Sequence, residues 1–268
     1  MTTYQSYKYV KFSPSGNTTL FLIADAAHMA SVRVLKDAMG PEGVAAEQAG
    51  VADCRASRLE MAGGEFCANA CRAMGALLDM EASPSETRAE RYYEMTISGY
   101  SGVVRLAVKG KCPDWHVCAK FKADGARFQL DGALFEMPGI SHKLVKKEEW
   151  PDDTEIPALA DAHFPVIKRN NPAFGVAWWR KNGKKYEILP YVRVPSANTA
   201  MVEGSCGSAT MALAMLLAAQ GETGPFHVSQ PSGQELVCDF RAGEGLFTLG
   251  GSVRLCSSGL LWLPGNKD

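Results

Sequence analysis

Residues 57–80 read SRLEMAGGEFCANACRAMGALLDM. Ser57–Met61 has strand character, Gly63-Gly64 interrupts it, and Ala68–Met80 is helical, with Ala70, Met74, Leu77 and Leu78 on one face. Cys67 therefore stands at a strand-to-helix turn. Residues 199–220, TAMVEGSCGSATMALAMLLAAQ, repeat the plan. A strand ends near Val202, the chain turns at Gly204-Ser205, Cys206 follows, and a helix over Ser208–Gln220 is closed by Gly221. Downstream of each helix comes a strand, a serine, a glycine-containing turn and another strand: EMTISGYSGVVRLAV over 94–108 and FHVSQPSGQELVCDF over 226–240. This weak internal repeat implies two similarly folded lobes. The boundary falls in Asp124–Asp131, which divides the chain into an N-terminal lobe, 1–127, carrying Cys67, and a C-terminal lobe, 128–268, carrying Cys206.

Other elements agree with a mixed chain. Strands are expected over Tyr7–Phe12 and Thr19–Ile23, around the turn Ser13–Asn17. A helix is expected over Ala30–Met39, stopped by Gly40-Pro41. Further strands are expected over Tyr93–Ser98 and Gly102–Val108. Phe174–Arg180 and Lys185–Tyr191 flank Asn182-Gly183, a hairpin signal. Pro84–Arg91 reads as loop and Lys143–Asp153 as a surface element.

A chain of 268 residues with 46% hydrophobic and 21% charged residues has the make-up of a soluble globular protein. Its net charge of -1 supplies no excess of cations for a polyphosphate, so nucleic acid is not an expected partner. The longest apolar run, Met211–Ala219, falls short of the roughly 20 residues a membrane span needs. The start, MTTYQSYKYVKF, has no apolar signal region, so a reducing cytoplasm is the expected location. There the eight cysteines are expected to be free thiols. None of them forms a C-x-x-C pair and Cys67-x-x-x-Cys71 has no neighbouring ligands, so no metal is expected. His28, His116, His142, His163 and His227 lack metal spacing and are expected as surface or core residues. Trp178-Trp179 is expected to pack, and Phe66 to seat the helix that follows it.

A helix N-terminus presents unpaired N–H groups and a partial positive charge. It lowers the pKa of a nearby thiol from about 8.5 and receives anions such as a carboxylate. One such cysteine is compatible with simple packing. Two, at matching places in related lobes, suggest a cleft with a thiol on either side. Inverting a stereocentre by proton exchange requires a base on one face of the carbon and an acid on the other, and a thiolate facing a thiol supplies both. The substrate α-carboxylate would sit on the N–H groups of Ala68, Asn69, Gly207 and Ser208, which stabilise the charge that develops in the transition state. Glu47 or Glu203 could accept from the α-amino group.

These residues resemble the motifs of the diaminopimelate-epimerase-like superfamily of cofactor-independent racemases and epimerases. Cys67-Ala-Asn69-Ala resembles its first C-G-N-G motif and Cys206-Gly-Ser-Ala its second, C-G-T-G. Ser15-Gly16-Asn17 resembles the G-N-D-F substrate loop, Glu47-Gln48 falls where a family Gln reaches the substrate, Asn171-Pro172 resembles G-N-P-H, and Gln230-Pro-Ser-Gly233 resembles a P-G-G turn. Phe12-x-Pro14-Ser-Gly-Asn17, Gly64-Glu-Phe-Cys67-x-Asn69-Ala70 and Ser205-Cys-Gly-Ser208 are most similar to the branch of histidine racemases of staphylopine-type metallophore biosynthesis. The resemblance covers nearly the whole chain. It implies an α+β fold of two pseudo-symmetric lobes, each a curled, mostly antiparallel sheet around a central helix, with one catalytic cysteine from each lobe. It also implies no pyridoxal phosphate and no other cofactor, a small amino-acid substrate and a homodimer as one option for assembly.

Departures from the family narrow the substrate. Diaminopimelate epimerases place an Arg before the second cysteine to hold the distal carboxylate. Here Asn198–Cys206 contains no Arg or Lys, although Glu203 matches the motif Glu that helps set thiol protonation. A buried unpaired carboxylate is costly. Asn17, Gln48, Asn69 and Asn171 instead offer neutral donors and acceptors that suit an imidazole. Ala173 replaces the family His, removing one supporting proton partner. Ala68, Ala70 and Ala209 replace glycines, at a strain of about 1 kcal/mol each if any of them needs a positive φ. Alternatives are diaminopimelate epimerase itself, a phenazine-biosynthesis-type isomerase working through a carboxylate, and a non-catalytic amino-acid-binding protein of the same fold.

Overall fold

A computed structural model describes residues 4–24, 32–82, 89–129, 133–167 and 171–264. The first half runs β1 (Tyr4–Pro14), β2 (Thr19–Ile23), α1 (Val32–Met39), β3 (Gln48–Asp53), β4 (Arg58–Met61), α2 (Ala68–Ala82), β5 (Arg91–Ile97), β6 (Tyr100–Lys111) and β7 (Asp114–Lys122). The second runs β8 (Arg127–Gln129), β9 (Leu134–Met137), β10 (Ile140–Lys146), α3 (Ile156–Ile167), β11 (Ala173–Asn182), β12 (Lys185–Val194), β13 (Thr199–Val202), α4 (Gly207–Ala219), β14 (Phe226–Ser229), β15 (Glu235–Arg241) and β16 (Leu246–Pro264).

Strands β1 to β7 lie side by side in chain order. β16 pairs with both β7 and β1, closing an eight-stranded ring. The remaining path continues from β16 through β15, β14, β12, β11, β10 and β9 to β8, with β13 on β12. Period-two alternation builds these walls. In β7, Trp115, Val117, Ala119 and Phe121 point inward while their neighbours are half-buried or exposed.

Helix α2 contacts β1, β2, β5, β6, β7 and β16, and is buried without a break from Ala68 to Asp79. A helix covered on all sides needs small or apolar residues all round, which the alanines of ANACRAMGALL supply. Helix α4 contacts β8, β10, β15 and β16 and is likewise covered, with Met211, Leu213 and Leu217 each at 1% exposure or less. Burying such a side chain contributes roughly 1.5–3 kcal/mol. Phe66 is fully buried and meets Phe121 edge-on at 5.3 Å, seating the start of α2.

The expected elements recur with small shifts of their ends. Residues 30–31 of the first expected helix and 84–88 of the expected loop lie outside the described residues, and Arg91 already belongs to β5. Asn182-Gly183 joins the antiparallel pair β11 and β12. Trp178 and Trp179 are buried. Lys143–Asp153 is only partly a surface element: Lys143–Lys146 lies in β10, with Leu144 buried, and the exposed part begins at Lys146. Ala68, Ala70 and Ala209 sit in helices without positive φ, so they carry no glycine-type strain. Among the described residues no helix is long and apolar enough to cross a membrane.

Candidate active site

The N-termini of α2 and α4 abut. A Cβ on Gly207 would lie 2.9 Å from the Ala68 Cβ and 3.0 Å from Asn69 Oδ1, so only glycine permits this approach. Asn69 Nδ2 donates to the Ser205 carbonyl at 2.8 Å, and its Oδ1 accepts from Arg72 Nη2 at 2.8 Å. One amide thus braces the turn before Cys206 against the helix that starts beside Cys67.

A single cavity opens at this junction. Cys67 and Cys206 both line it, together with Glu47, Gln48, Glu65, Ala68, Asn69, Glu203, Gly207 and Ser208; apolar side chains such as Met39, Val192 and Met201 complete the wall. Its empty space is about 590 Å³, part of it continuous with solvent. Among the described residues no group of three or more His, Cys, Asp or Glu side chains is placed to hold a metal ion.

Cys67 Sγ donates to Gln48 Oε1 at 2.9 Å and accepts from the Ala70 N–H at 3.3 Å. Gln48 Nε2 donates to Thr19 Oγ1 at 2.7 Å and to Asn17 Oδ1. Across the site, Cys206 is the N-cap residue of α4, and its own N–H donates to Gln230 Oε1 at 3.0 Å. Its Sγ lies 3.5 Å from Ser208 Oγ.

The thiols do not titrate as the helix N-termini alone led us to expect. Burial pushes Cys67 up to about 12, reinforced by the Glu203 and Glu65 carboxylates and only partly offset by the Ala70 and Asn69 N–H groups. Cys206 is raised well above the usual thiol range by burial and by Glu203. Desolvation and like charge outweigh the helix ends here, and both residues rest as thiols. Glu203 is itself pushed up to about 8 by burial, with Glu47 and Glu65 adding to the rise against the Cys206 hydrogen bond.

Of the residues singled out from sequence, Asn17 and Asn171 do not line the cavity. Asn17 Nδ2 donates to Glu47 Oε2 at 2.9 Å, and the Gly204 N–H reaches the same oxygen at 3.1 Å, tying the Ser15–Asn17 loop to the segment before Cys206. Asn171 Nδ2 donates to Ser141 Oγ at 2.6 Å and to the Met137 carbonyl at 3.1 Å. Sequence reasoning overlooked Glu65, two residues before Cys67, although it stands within the Gly64-Glu-Phe-Cys67 segment. It also overlooked Arg72, fully buried on α2. Arg72 Nη1 donates to Ser15 Oγ at 3.2 Å and to the Ser252 carbonyl at 3.3 Å, and burial lowers its pKa to about 10. Gly251 makes room for it: a Cβ there would lie 2.6 Å from Arg72 Nη1.

The family match and the curated relatives place a chain with this site and strand arrangement among the isomerases of the racemase and epimerase class. Residues 6–262 match the profile of the histidine racemase CntK N-terminal domain, and the chain belongs to that family. A histidine racemase of Fusobacterium nucleatum subsp. nucleatum is 26% identical over 238 residues, covering 85% of this chain and 88% of the relative. Among solved structures, a hydroxyproline epimerase of Agrobacterium vitis with bound trans-4-hydroxy-L-proline superposes with a TM-score of 0.69 at 12% identity, covering 99% of this chain and 95% of the other. A probable proline racemase of Agrobacterium radiobacter superposes with a TM-score of 0.64 at 13% identity, covering 98% of this chain and 93% of the other. At those identities the likeness is one of fold.

Proposed function

We propose that this isomerase interconverts L- and D-histidine without pyridoxal phosphate, using Cys67 and Cys206 as the acid and base at the α-carbon. The observation that carries the proposal is that both thiols line one cavity at abutting helix N-termini. The histidine racemases among its relatives support the choice of substrate. So does the cavity wall, which contains Glu47, Glu65 and Glu203 and, among the described residues, no Arg or Lys. A second carboxylate on the substrate would meet repulsion there, whereas an amine or an imidazole N–H would find acceptors.

The substrate carboxylate binds at Ala68, Asn69, Gly207 and Ser208 and displaces the water that would otherwise solvate those N–H groups. Glu47 or Glu203 takes the α-amino group, and the neutral groups of Gln48 and Asn69 serve the imidazole. One cysteine, deprotonated, removes the α-proton. The electron pair left on carbon delocalises into the carboxylate, where fixed N–H donors stabilise it. The other cysteine returns a proton from the opposite face. Reversal exchanges the two roles. The two cysteines belong to two lobes, 1–127 and 128–268, each a sheet around its own helix, with β16 returning to the first. Asn17 and Asn171 support this site from behind its wall.

The test is loss of α-deuterium, together with optical rotation, for L-histidine against LL-diaminopimelate at equal concentration and without added cofactor. Faster histidine turnover is expected. Faster diaminopimelate turnover would overturn the assignment of substrate, and no turnover of any amino acid would favour a binding protein.

A further inference from the structure

His142, on β10, is fully buried, and its Nε2 lies 2.8 Å from Ser208 Oγ. Ser208 Oγ in turn lies 3.5 Å from Cys206 Sγ. The other ring nitrogen, Nδ1, is buried and has no hydrogen-bond partner among the described residues. The ring is seated against bare backbone: β10 and β11 pair His142 with Gly175, and a Cβ on Gly175 would lie 2.9 Å from His142 Nδ1 and 3.1 Å from Cε1. The fold keeps a glycine where the imidazole needs room, and buries a polar ring with one hydrogen-bond partner among the described residues.

That single partner settles how the hydrogens run. A buried N–H without an acceptor is the rarer and costlier arrangement, so the proton belongs on Nε2, which has a partner, and the lone pair on Nδ1. An Nε2–H donates to Ser208 Oγ. The serine then has one hydrogen of its own left to give, and Cys206 Sγ is the atom in line to receive it. We propose that neutral His142 is a positioning residue that fixes the Ser208 hydroxyl as a donor to Cys206 and so stabilises the Cys206 thiolate. This rests on the two-cysteine reading above. No proton passes through the imidazole, and its charge does not change.

The surroundings show why such a donor is needed. The ionisable groups that share the cavity with Cys206 are Glu47, Glu65, Cys67 and Glu203, all of which oppose a second negative charge when ionised. Burial and Glu203 raise the thiol, and the Ser208 hydrogen bond lowers it. His142 itself is held at about 3 by burial alone, so it remains neutral throughout the working range. Ala173, which leaves the site without the histidine expected from the family motif, pairs with Ile140 two residues before His142 on the neighbouring strand. The histidine is thus present one strand over and acts through a serine.

The experiment follows alkylation of the Cys206 peptide by iodoacetamide across pH, read by mass spectrometry, in the wild-type chain and in H142L, H142Q and S208A. H142L and S208A should alkylate about tenfold or more slowly at a given pH, the half-point moving alkaline, because a hydrogen bond to a charged acceptor is lost. H142Q, whose amide N–H can replace Nε2–H, should recover to within about threefold of wild type. Unchanged profiles in H142L and S208A, or an H142Q profile matching H142L, would overturn the proposal. Should H142L fail to fold, the imidazole nitrogen shifts of the wild-type protein decide the matter: an Nε2–H tautomer is expected, and Nδ1–H overturns it. The racemase reading fails separately, if C206A retains full turnover.

Discussion

Helix α2 carries a buried cation, Arg72, one turn beyond its N-terminus, whereas α4 has no charged residue from Gly207 to Ala219. The two helices present cysteines to one cavity, yet each is held by different means. At the Cys67 end the bracing is polar and long-range: Gln48 meets the thiol, and Asn69 and Arg72 reach Ser205, Ser15 and Ser252. At the Cys206 end it is compact: Gln230 holds the backbone N–H, and Ser208 and His142 stand behind the sulfur. A buried guanidinium with only neutral acceptors pays a desolvation penalty, visible in its lowered pKa. The comparison teaches that equivalent positions in a repeat need not share supports. Two thiols proposed to exchange roles can be tuned by unrelated neighbours.

The most severe way to break the equivalence is to delete either thiol. C67A and C206A should each lose on the order of 10³-fold or more of the racemisation rate, since each removes a proposed acid or base. Loss of α-deuterium from L- and D-histidine measures this. If either variant keeps a tenth of the activity, the two helices are not equal partners.

The brace between them is tested next. Asn69→Ala leaves the Ser205 carbonyl and Arg72 Nη2 without their partner. A loss of about 1–3 kcal/mol is expected by denaturant unfolding, because both orphaned groups are buried. A melting curve like that of the wild type would show that the two helix ends hold their places independently.

Glu203 gives the comparison a pH dependence. Its carboxyl is raised from 4.5 to about 8, so between those values the folded chain binds more proton than the unfolded chain. The associated stability is therefore complete below about 4.5 and is lost as pH rises to about 8. Glu203→Gln should flatten that fall, with its largest gain over wild type at pH 8, as measured by thermal melting at several pH values. A variant with the same slope as the wild type would mean that the carboxylates facing the two thiols are not coupled to folding.

The smallest effect separates the thiols by access. Cys67 is partly exposed and Cys206 is 2% exposed. Alkylation of the unliganded protein should modify Cys67 first, by a few-fold. Equal rates would show that exposure does not distinguish them.

Much of this was legible in the chain itself. Both cysteine turns, both central helices and the Asn182-Gly183 hairpin follow from local patterns, because strand alternation, helix stops and glycine turns act over a few residues. Strands β3, β7, β8, β9, β10 and β16 and helix α3 were not anticipated. β16 contains Gly250, Gly251 and Gly259 within its run, and α3 contains Pro165, so local preference argues against both. In β16 the pairing with β1, β7 and β15 overrides that preference.

The sequence by itself determined that two cysteines begin two buried helices, that the helices need small residues, and that no Arg lies in the Asn198–Cys206 segment leading to the second cysteine. Tertiary structure alone decided what surrounds the thiols. Burial first, and then Glu203 at both thiols and Glu65 at Cys67, reverse the effect expected from the helix ends, because desolvation and like charge depend on which groups meet in space. Arg72 fits only because Gly251, far along the chain, leaves room for it. His142 meets Ser208 across 66 positions of sequence. Such contacts have no local signature: the energy that selects them is gained only when β10, β11 and α4 have come together, and a residue buried among them looks, in the sequence, like any other.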